Sequence, residues 1–246
     1  MHAIVLTRFL LAALLALSAF AAHAGSGGLP DRLVTVWALS RGTLEIARVE
    51  EQYERHGDRY TLVSEARAVG VAALLARGQG WRRESEGSIA PDGLRPISYS
   101  DQRGSNPLQR AQFDWLAGQI RFERVPQPGT GEALAAEVEP LPAGTTDRLS
   151  FPYSLAQGAR PPAGDWEVVM TDGRRLTRYR FALLGRETVR VPAGSFEALR
   201  VSRVREKNET GTDIWLALDR NLLPVRILVT EPDGTTFDQV LLQAGP

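Results

Sequence analysis

The chain has 246 residues, 43% of them hydrophobic, 24% charged and 7% aromatic, the profile of a globular protein rather than a disordered or collagen-like one. Its 29 basic residues match its 29 acidic ones, which argues against nucleic-acid binding through a basic domain and gives no charge-based reason for membrane-surface attachment. There is no cysteine, so disulfides, thiolate metal sites, iron–sulfur clusters and cysteine nucleophiles are excluded.

Residues 1–24 read as a signal peptide. Arg8 supplies a positive start, Phe9 to Ala22 is almost entirely Leu, Ala and Phe, and Ala22-His23-Ala24 is a small-x-small cleavage site. The apolar run is shorter than the ~20 residues of a spanning helix. Cleavage after Ala24 therefore predicts a mature chain that begins at Gly25, is located in the periplasm and has no transmembrane span. Residues 25–32 read as a flexible lead-in and 33–246 as a single β-rich domain.

From Leu33 onward, short alternating segments separated by turn residues predict antiparallel strands. Leu33–Leu39 is the first. In the next, Leu44, Ile46 and Arg48 share one phase and Val49, Glu51 and Tyr53 another, so a β-bulge is expected near Arg48. Arg55–Asp58 is a turn, and Tyr60, Leu62, Ser64, Ala66 and Ala68 share a strand face. Val71–Arg77 is rich in helix formers and ends before Gly78. Strands at Trp81–Ile89 and Leu94–Ser100 flank Pro91-Asp92-Gly93. Phe113 and Trp115 alternate into a two-residue turn at Ala117-Gly118, and Ile120 and Phe122 alternate out of it.

Pro126–Thr146 reads as a long loop with one strand near Val138. A second short helix is expected up to Gln157, capped by Thr145 or Thr146, with Pro152 a difficulty. The C-terminal third alternates most cleanly: Trp166–Thr171 and Leu176–Leu184 around Asp172-Gly173, then Val189–Val191, Phe196–Arg205, Ile214–Leu218, Val225–Thr230 and Thr236–Leu242. About a dozen strands at this spacing predict a mainly β fold: a strongly curved antiparallel sheet, half-barrel or open barrel, with one or two short helices.

Three stretches carry a resemblance: Ala111–Ile120; Leu184-Gly-Arg-Glu187 through Val191-Pro-Ala-Gly194 to Leu199; and Trp215–Asp219 followed by Leu223-Pro-Val-Arg-Ile227. With the exported N-terminus they resemble the bacterial family known as domain of unknown function 3108, over most of the mature chain. The resemblance implies a fold and no active-site residues. More loosely, the strand order is similar to that of half-barrel carriers of lipoproteins and lipids in the Gram-negative envelope, an analogy of fold alone.

Catalytic chemistry finds little support. After cleavage His56 is the sole histidine, and it sits in a Gly-Asp turn, which argues against a Ser-His-Asp triad and excludes a histidine zinc site. Ser195 lacks a nucleophile elbow and Lys207 a Ser-x-x-Lys partner. Asp101, Asp114 and Glu123 keep a two-carboxylate hydrolase open as a minor reading. No catalytic residue, metal ligand or cofactor is assigned.

Several strands are apolar on both faces: Trp115/Leu116, Leu183/Leu184, Ile214/Trp215 and Ile227/Leu228. Their second face needs cover from a helix, another sheet or a ligand. The expectation is therefore a non-enzymatic periplasmic binding protein whose apolar concavity holds a lipid or lipid-modified partner, with Trp81, Phe113, Trp115, Tyr179 and Trp215 as lining candidates. Arg178 and Arg180 share one strand face and Arg203 and Arg205 another, which makes a candidate basic stripe for an anionic partner. The alternatives are cross-strand pairing of these arginines with Glu187, Glu197 or Glu206, and, for the whole protein, an envelope protein–protein interaction domain without a small ligand.

Overall fold

The computed structural model describes residues 28–76, 80–126, 136–158 and 160–246. The expected signal peptide and the first residues of the expected lead-in lie outside them, as do residues 127–135 of the Pro126–Thr146 stretch.

A first antiparallel meander comprises β1 (Arg32–Arg41), β2 (Leu44–His56), β3 (Arg59–Ala68), β4 (Trp81–Ala90), β5 (Gly93–Arg103), β6 (Leu108–Asp114), β7 (Gln119–Val125) and β8 (Glu137–Pro140), with helix α1 (Gly70–Ala76) between β3 and β4. The second half begins with β9 (Thr146–Asp147) and helix α2 (Ser150–Ala156). It continues through β10 (Asp165–Thr171), β11 (Leu176–Val191), β12 (Gly194–Val204), β13 (Gly211–Ala217), β14 (Leu223–Thr230) and β15 (Thr236–Gly245). Pairing of β1 with β15 joins the halves into one 15-stranded sheet with β8 at one end and β9 at the other. Among the described residues the two ends do not pair, and the sheet stays open. The β-bulge falls at Ile46, two residues before the expected position, where Leu39 pairs with Ala47 and Ser40 with Glu45.

Cross-strand register sorts the inward face of the first meander into layers. Leu33, Tyr53, Leu62, Ser85, Tyr99 and Ala111 form one rung. Thr35, Glu51, Ser64, Arg83, Asp101 and Gln109 form the next, polar throughout. Trp37, Val49, Ala66, Trp81 and Arg103 form the third.

The first rung belongs to a large apolar cluster built around α2. A seven-residue helix is too short to hold itself in water. Every residue of α2 is buried, and Phe151, Tyr153 and Leu155 lie in the cluster, each burial contributing about 1.5–3 kcal/mol. Leu149 holds the N-cap position, and the N–H groups there are satisfied by Asp147 rather than by either threonine. Asp147 Oδ1 accepts from Leu149 N (2.9 Å) and Ser150 N (2.8 Å). Pro152 is tolerated because it is the third helical residue, where no intrahelical N–H bond is due.

The third rung belongs to a second cluster, closed by the β11–β12 hairpin. β11 carries an extra residue between Leu183 and Gly185, and Gly185 takes φ 125°, a backbone conformation open to glycine and costly for other residues. Beyond that point Val189, Phe196 and Ala198 pack with Trp37, Val49 and Leu241, and Ala193 N donates to Leu241 O (3.0 Å). This arrangement answers the two-sided apolar strands. On β13, Ile214 and Leu216 enter the first cluster while Trp215 and Ala217 enter the second; Ile227 packs on the first and Leu228 on the second. Leu184 and Leu116 instead remain exposed.

Candidate functional site

α2 is buried within the large apolar cluster on the inward face of the sheet. A cleft of about 580 Å³ opens where the two ends of the sheet approach each other. One wall is the β4–β5 turn, the start of β5 and the β6–β7 loop; the other is β10; α2 contributes the floor, and the Leu141–Thr146 run that leads into β9 lines it as well. Leu94, Trp115, Leu141, Phe151, Trp166 and Val168 supply apolar surface, Asp92, Arg95 and Arg160 supply charge, and Glu167 borders the cleft with its carboxylate turned to Arg178.

Trp115 lies in the four-residue loop between β6 and β7, not on a strand. Its indole Nε1 donates to Pro96 O (2.6 Å), the Arg95 guanidinium carbon lies 4.4 Å from its ring centroid, and the Phe113 ring stacks at 5.9 Å. Across the cleft, Trp166 sits 6.0 Å from Phe181, which packs at 4.9 Å against Phe151 of α2. The site is thus two aromatic walls anchored to a fixed floor.

The five aromatic candidates do not converge. Trp115 lines the cleft and Phe113 backs it. Tyr179 packs on the margin of the first cluster with the Arg203 guanidinium 4.7 Å from its ring centroid. Trp81 packs against the second cluster, and Trp215 lies within it between Arg200 and Arg226, its Nε1 donating to Glu187. Trp166, Arg95 and Arg160 were missed. Trp166 follows the Arg160–Gly164 loop, and no periodicity marks it as a wall.

The four arginines are split between faces. Arg203 pairs in register with inward-facing Phe181, whereas Arg178 and Arg180 point to the opposite side of β11 and sit 3.7 Å from Glu167 and Asp165 respectively. Arg203 donates to Glu209 and to Thr210 O, and Arg205 to Glu209 O. Cross-strand pairing therefore describes Arg178 and Arg180, with β10 acids as partners in place of those expected.

Buried carboxylates hold α2 in place. Asp147 Oδ2 accepts from Ser85 Oγ (2.6 Å) and Ser150 Oγ (2.8 Å), and Ser85 Oγ lies 2.9 Å from Tyr60 OH. Glu51 accepts from Tyr153 OH (2.6 Å) and Ser64 Oγ (3.1 Å), and Thr35 Oγ1, which accepts from Trp37 Nε1 (2.9 Å), lies 3.1 Å from Tyr153 OH. Burial pushes both carboxyls above the ordinary range, more than their hydrogen bonds pull them down. Burial also works against charge on Asp101, but Arg103 hydrogen bonds and the charges of Arg83 and Arg103 outweigh it and hold that carboxyl low. Tyr53 is pushed up to about 12 by burial.

None of this resembles a reacting centre. Asp101 faces inward with Arg83 and Arg103, Asp114 accepts from Ala117 N in the β6–β7 loop, and Glu123 lies beside Arg110 and Arg121. They form no two-carboxylate site. His56 is exposed at the end of β2. Ser154, on the cleft floor, accepts from Leu94 N and has no base beside it among the described residues. Among those residues no group of three or more histidines and carboxylates is placed to hold a metal ion.

An open, helix-plugged antiparallel barrel whose cleft lies between the ends of its sheet defines a barrel-like β domain. The chain belongs to the family described as "Protein of unknown function (DUF3108)", whose model matches residues 33–241. No curated protein matches it. Among solved structures it is similar to a beta-barrel-like protein of domain of unknown function DUF1849 from Brucella abortus, with 10% identity, 88% of this chain and 98% of that chain covered, and a TM-score of 0.54. A candidate exported protein with a YmcC-like fold from Bacteroides fragilis aligns at 9% identity over 89% of this chain and 98% of its own, with a TM-score of 0.37. The Brucella likeness is one of fold. Neither the family nor these likenesses indicates an enzymatic activity.

Proposed function

We propose that the protein is a non-enzymatic binding domain of the bacterial cell envelope that engages a partner through the cleft between the ends of its sheet. One observation carries this reading: a cleft walled by Trp115 and Trp166, floored by α2 and rimmed by Arg95 and Arg160, neither of which has an ion-pair partner among the described residues. Clefts of this kind, mostly apolar with a few polar groups, are ordinary ligand sites. The envelope location rests on the signal-peptide pattern of residues 1–24. N-terminal sequencing of the exported form starting at Gly25 supports it, and a full-length chain held in the inner membrane removes it.

A second reading keeps the lipid or lipid-modified ligand expected from the sequence but moves it into the cleft. Its support is the volume, which suits one acyl chain. Titration with a fluorescent fatty acid tests the site. Saturable binding weakened by Trp115→Ala and Trp166→Ala, but unchanged by Tyr179→Ala, supports an apolar ligand in the cleft. Binding indifferent to both tryptophans rules the cleft out as its site.

A further inference from the structure

The two ends of the sheet are finished differently. β8 is four residues long and ends on Pro140, with Glu137 and Glu139 along it, the charge and proline by which an end strand is protected from further pairing. At the other end β9 pairs only with Met170 and Thr171 of β10. Asp165–Val168 of β10 has β11 on one side and, among the described residues, no strand on the other.

The direction of that free side follows from one bond. Thr171 O accepts from Arg148 N (3.1 Å), so Thr171 turns its main-chain groups toward the β9 side. Alternation along a strand turns Val169, Glu167 and Asp165 the same way. In the same stretch Trp166 and Val168 line the cleft, while Asp165 and Glu167 carry their carboxylates on the opposite face beside Arg180 and Arg178.

We propose that the free edge of β10 takes an extended polypeptide segment as an added strand, with apolar side chains at alternate positions entering the cleft and basic side chains between them meeting Asp165 and Glu167. This deepens the binding-cleft reading and rests on it. A polypeptide is the occupant because only a backbone matches a row of alternating donors and acceptors. The apolar positions follow from Trp166, Val168, Trp115 and Leu94 around the cleft, and the basic ones from the cross-strand preference for opposite charge.

The probe is a heptapeptide alternating valine and lysine, blocked at both ends and titrated into the full chain by calorimetry and amide hydrogen exchange. Binding should slow exchange at Asp165 and Glu167 and not along β8. Glu167→Pro removes one outward N–H and leaves the β11 side intact, since proline is accepted on a free edge. It should weaken binding by about tenfold, whereas Glu137→Pro on β8 should not. Glu167→Lys, at an exposed site, keeps the test intact if the proline variant unfolds: it should weaken the valine–lysine peptide and favour a valine–glutamate one. Unchanged exchange at Asp165 and Glu167, or equal binding by wild type and both Glu167 variants, overturns the proposal. If the fluorescent fatty acid binds the cleft and the peptide does not, strand addition is wrong and the cleft reading survives. If neither binds, both fail.

Discussion

The two ends of the interior are closed by different physics. At one end a helix too short to stand alone is held by directed bonds: Asp147 accepts four, Tyr153 donates to Glu51, and Ser154 accepts from β5. At the other, Val189, Phe196 and Ala198 of a bent hairpin close the second cluster by apolar contact around Trp37. A helix plug needs its polar ends satisfied, because a buried unpaired N–H or hydroxyl costs more than a made bond returns. A hairpin satisfies its own backbone and needs only a bend. The first end should therefore respond to loss of single polar atoms and the second to loss of volume.

The largest effect should come from the apolar end. Trp37 is fully buried, and Trp37→Ala should destabilise by about 3–5 kcal/mol in denaturant titration. A loss below about 1.5 kcal/mol would mean that the second cluster collapses around the gap and is less tightly packed than the contacts imply. At the helix end, Asp147→Ala should cost about 2–4 kcal/mol, since it strands two backbone N–H groups and two hydroxyls. It should also raise hydrogen exchange in α2 before that in the β11–β12 hairpin. Equal acceleration in both would break the contrast between the two ends.

Gly185 isolates the bend. A Cβ there meets nothing within 4 Å, so Gly185→Ala tests backbone conformation without a clash. The φ of 125° should cost about 1–3 kcal/mol, read as a shift in midpoint with no change in denaturant slope. A neutral result would show that the hairpin can close the second cluster without the bend.

The sheet and both helices were legible because apolar alternation and Gly or Pro punctuation act locally. Val49, Glu51 and Tyr53 share a phase in the sequence, and the structure turns all three, the Glu51 carboxylate included, inward. Three things depended on distant partners. Trp115 alternates with Phe113 in sequence, yet the strand ends at Asp114 and the indole turns to Pro96. The capping bonds fell to Asp147, whose second oxygen is bound by Ser85, 62 positions away. Ile214 and Trp215 looked like a strand awaiting a ligand, because nothing local says that the same sheet supplies cover for both faces. For the same reason the cleft, built from β5, the β6–β7 loop, α2 and β10, was invisible to periodicity.

The smallest expected effect concerns Glu51, which joins the polar rung to the helix plug, and it appears as a dependence on pH. Burial raises its carboxyl above the ordinary 4.5, so the folded chain holds this proton more tightly than the unfolded chain does. The stabilisation is complete below the unfolded value and is lost as pH rises through the folded one. Asp147, raised for the same reason, contributes with the same sign. Asp101, held low by Arg103 and Arg83, contributes the opposite: stability present above its ordinary 3.8 and lost as pH falls through the folded value. In Glu51→Gln the amide keeps an acceptor for Tyr153 or Ser64 and has no proton to lose. Thermal melts from pH 4 upward should therefore show the variant gaining on wild type as pH rises above 4.5, with Asp147 leaving a residual slope in both. A constant difference between the two curves would show that Glu51 carries the same charge in the folded and unfolded chains, and that the plug is held at Tyr153 by an ordinary ionised carboxylate.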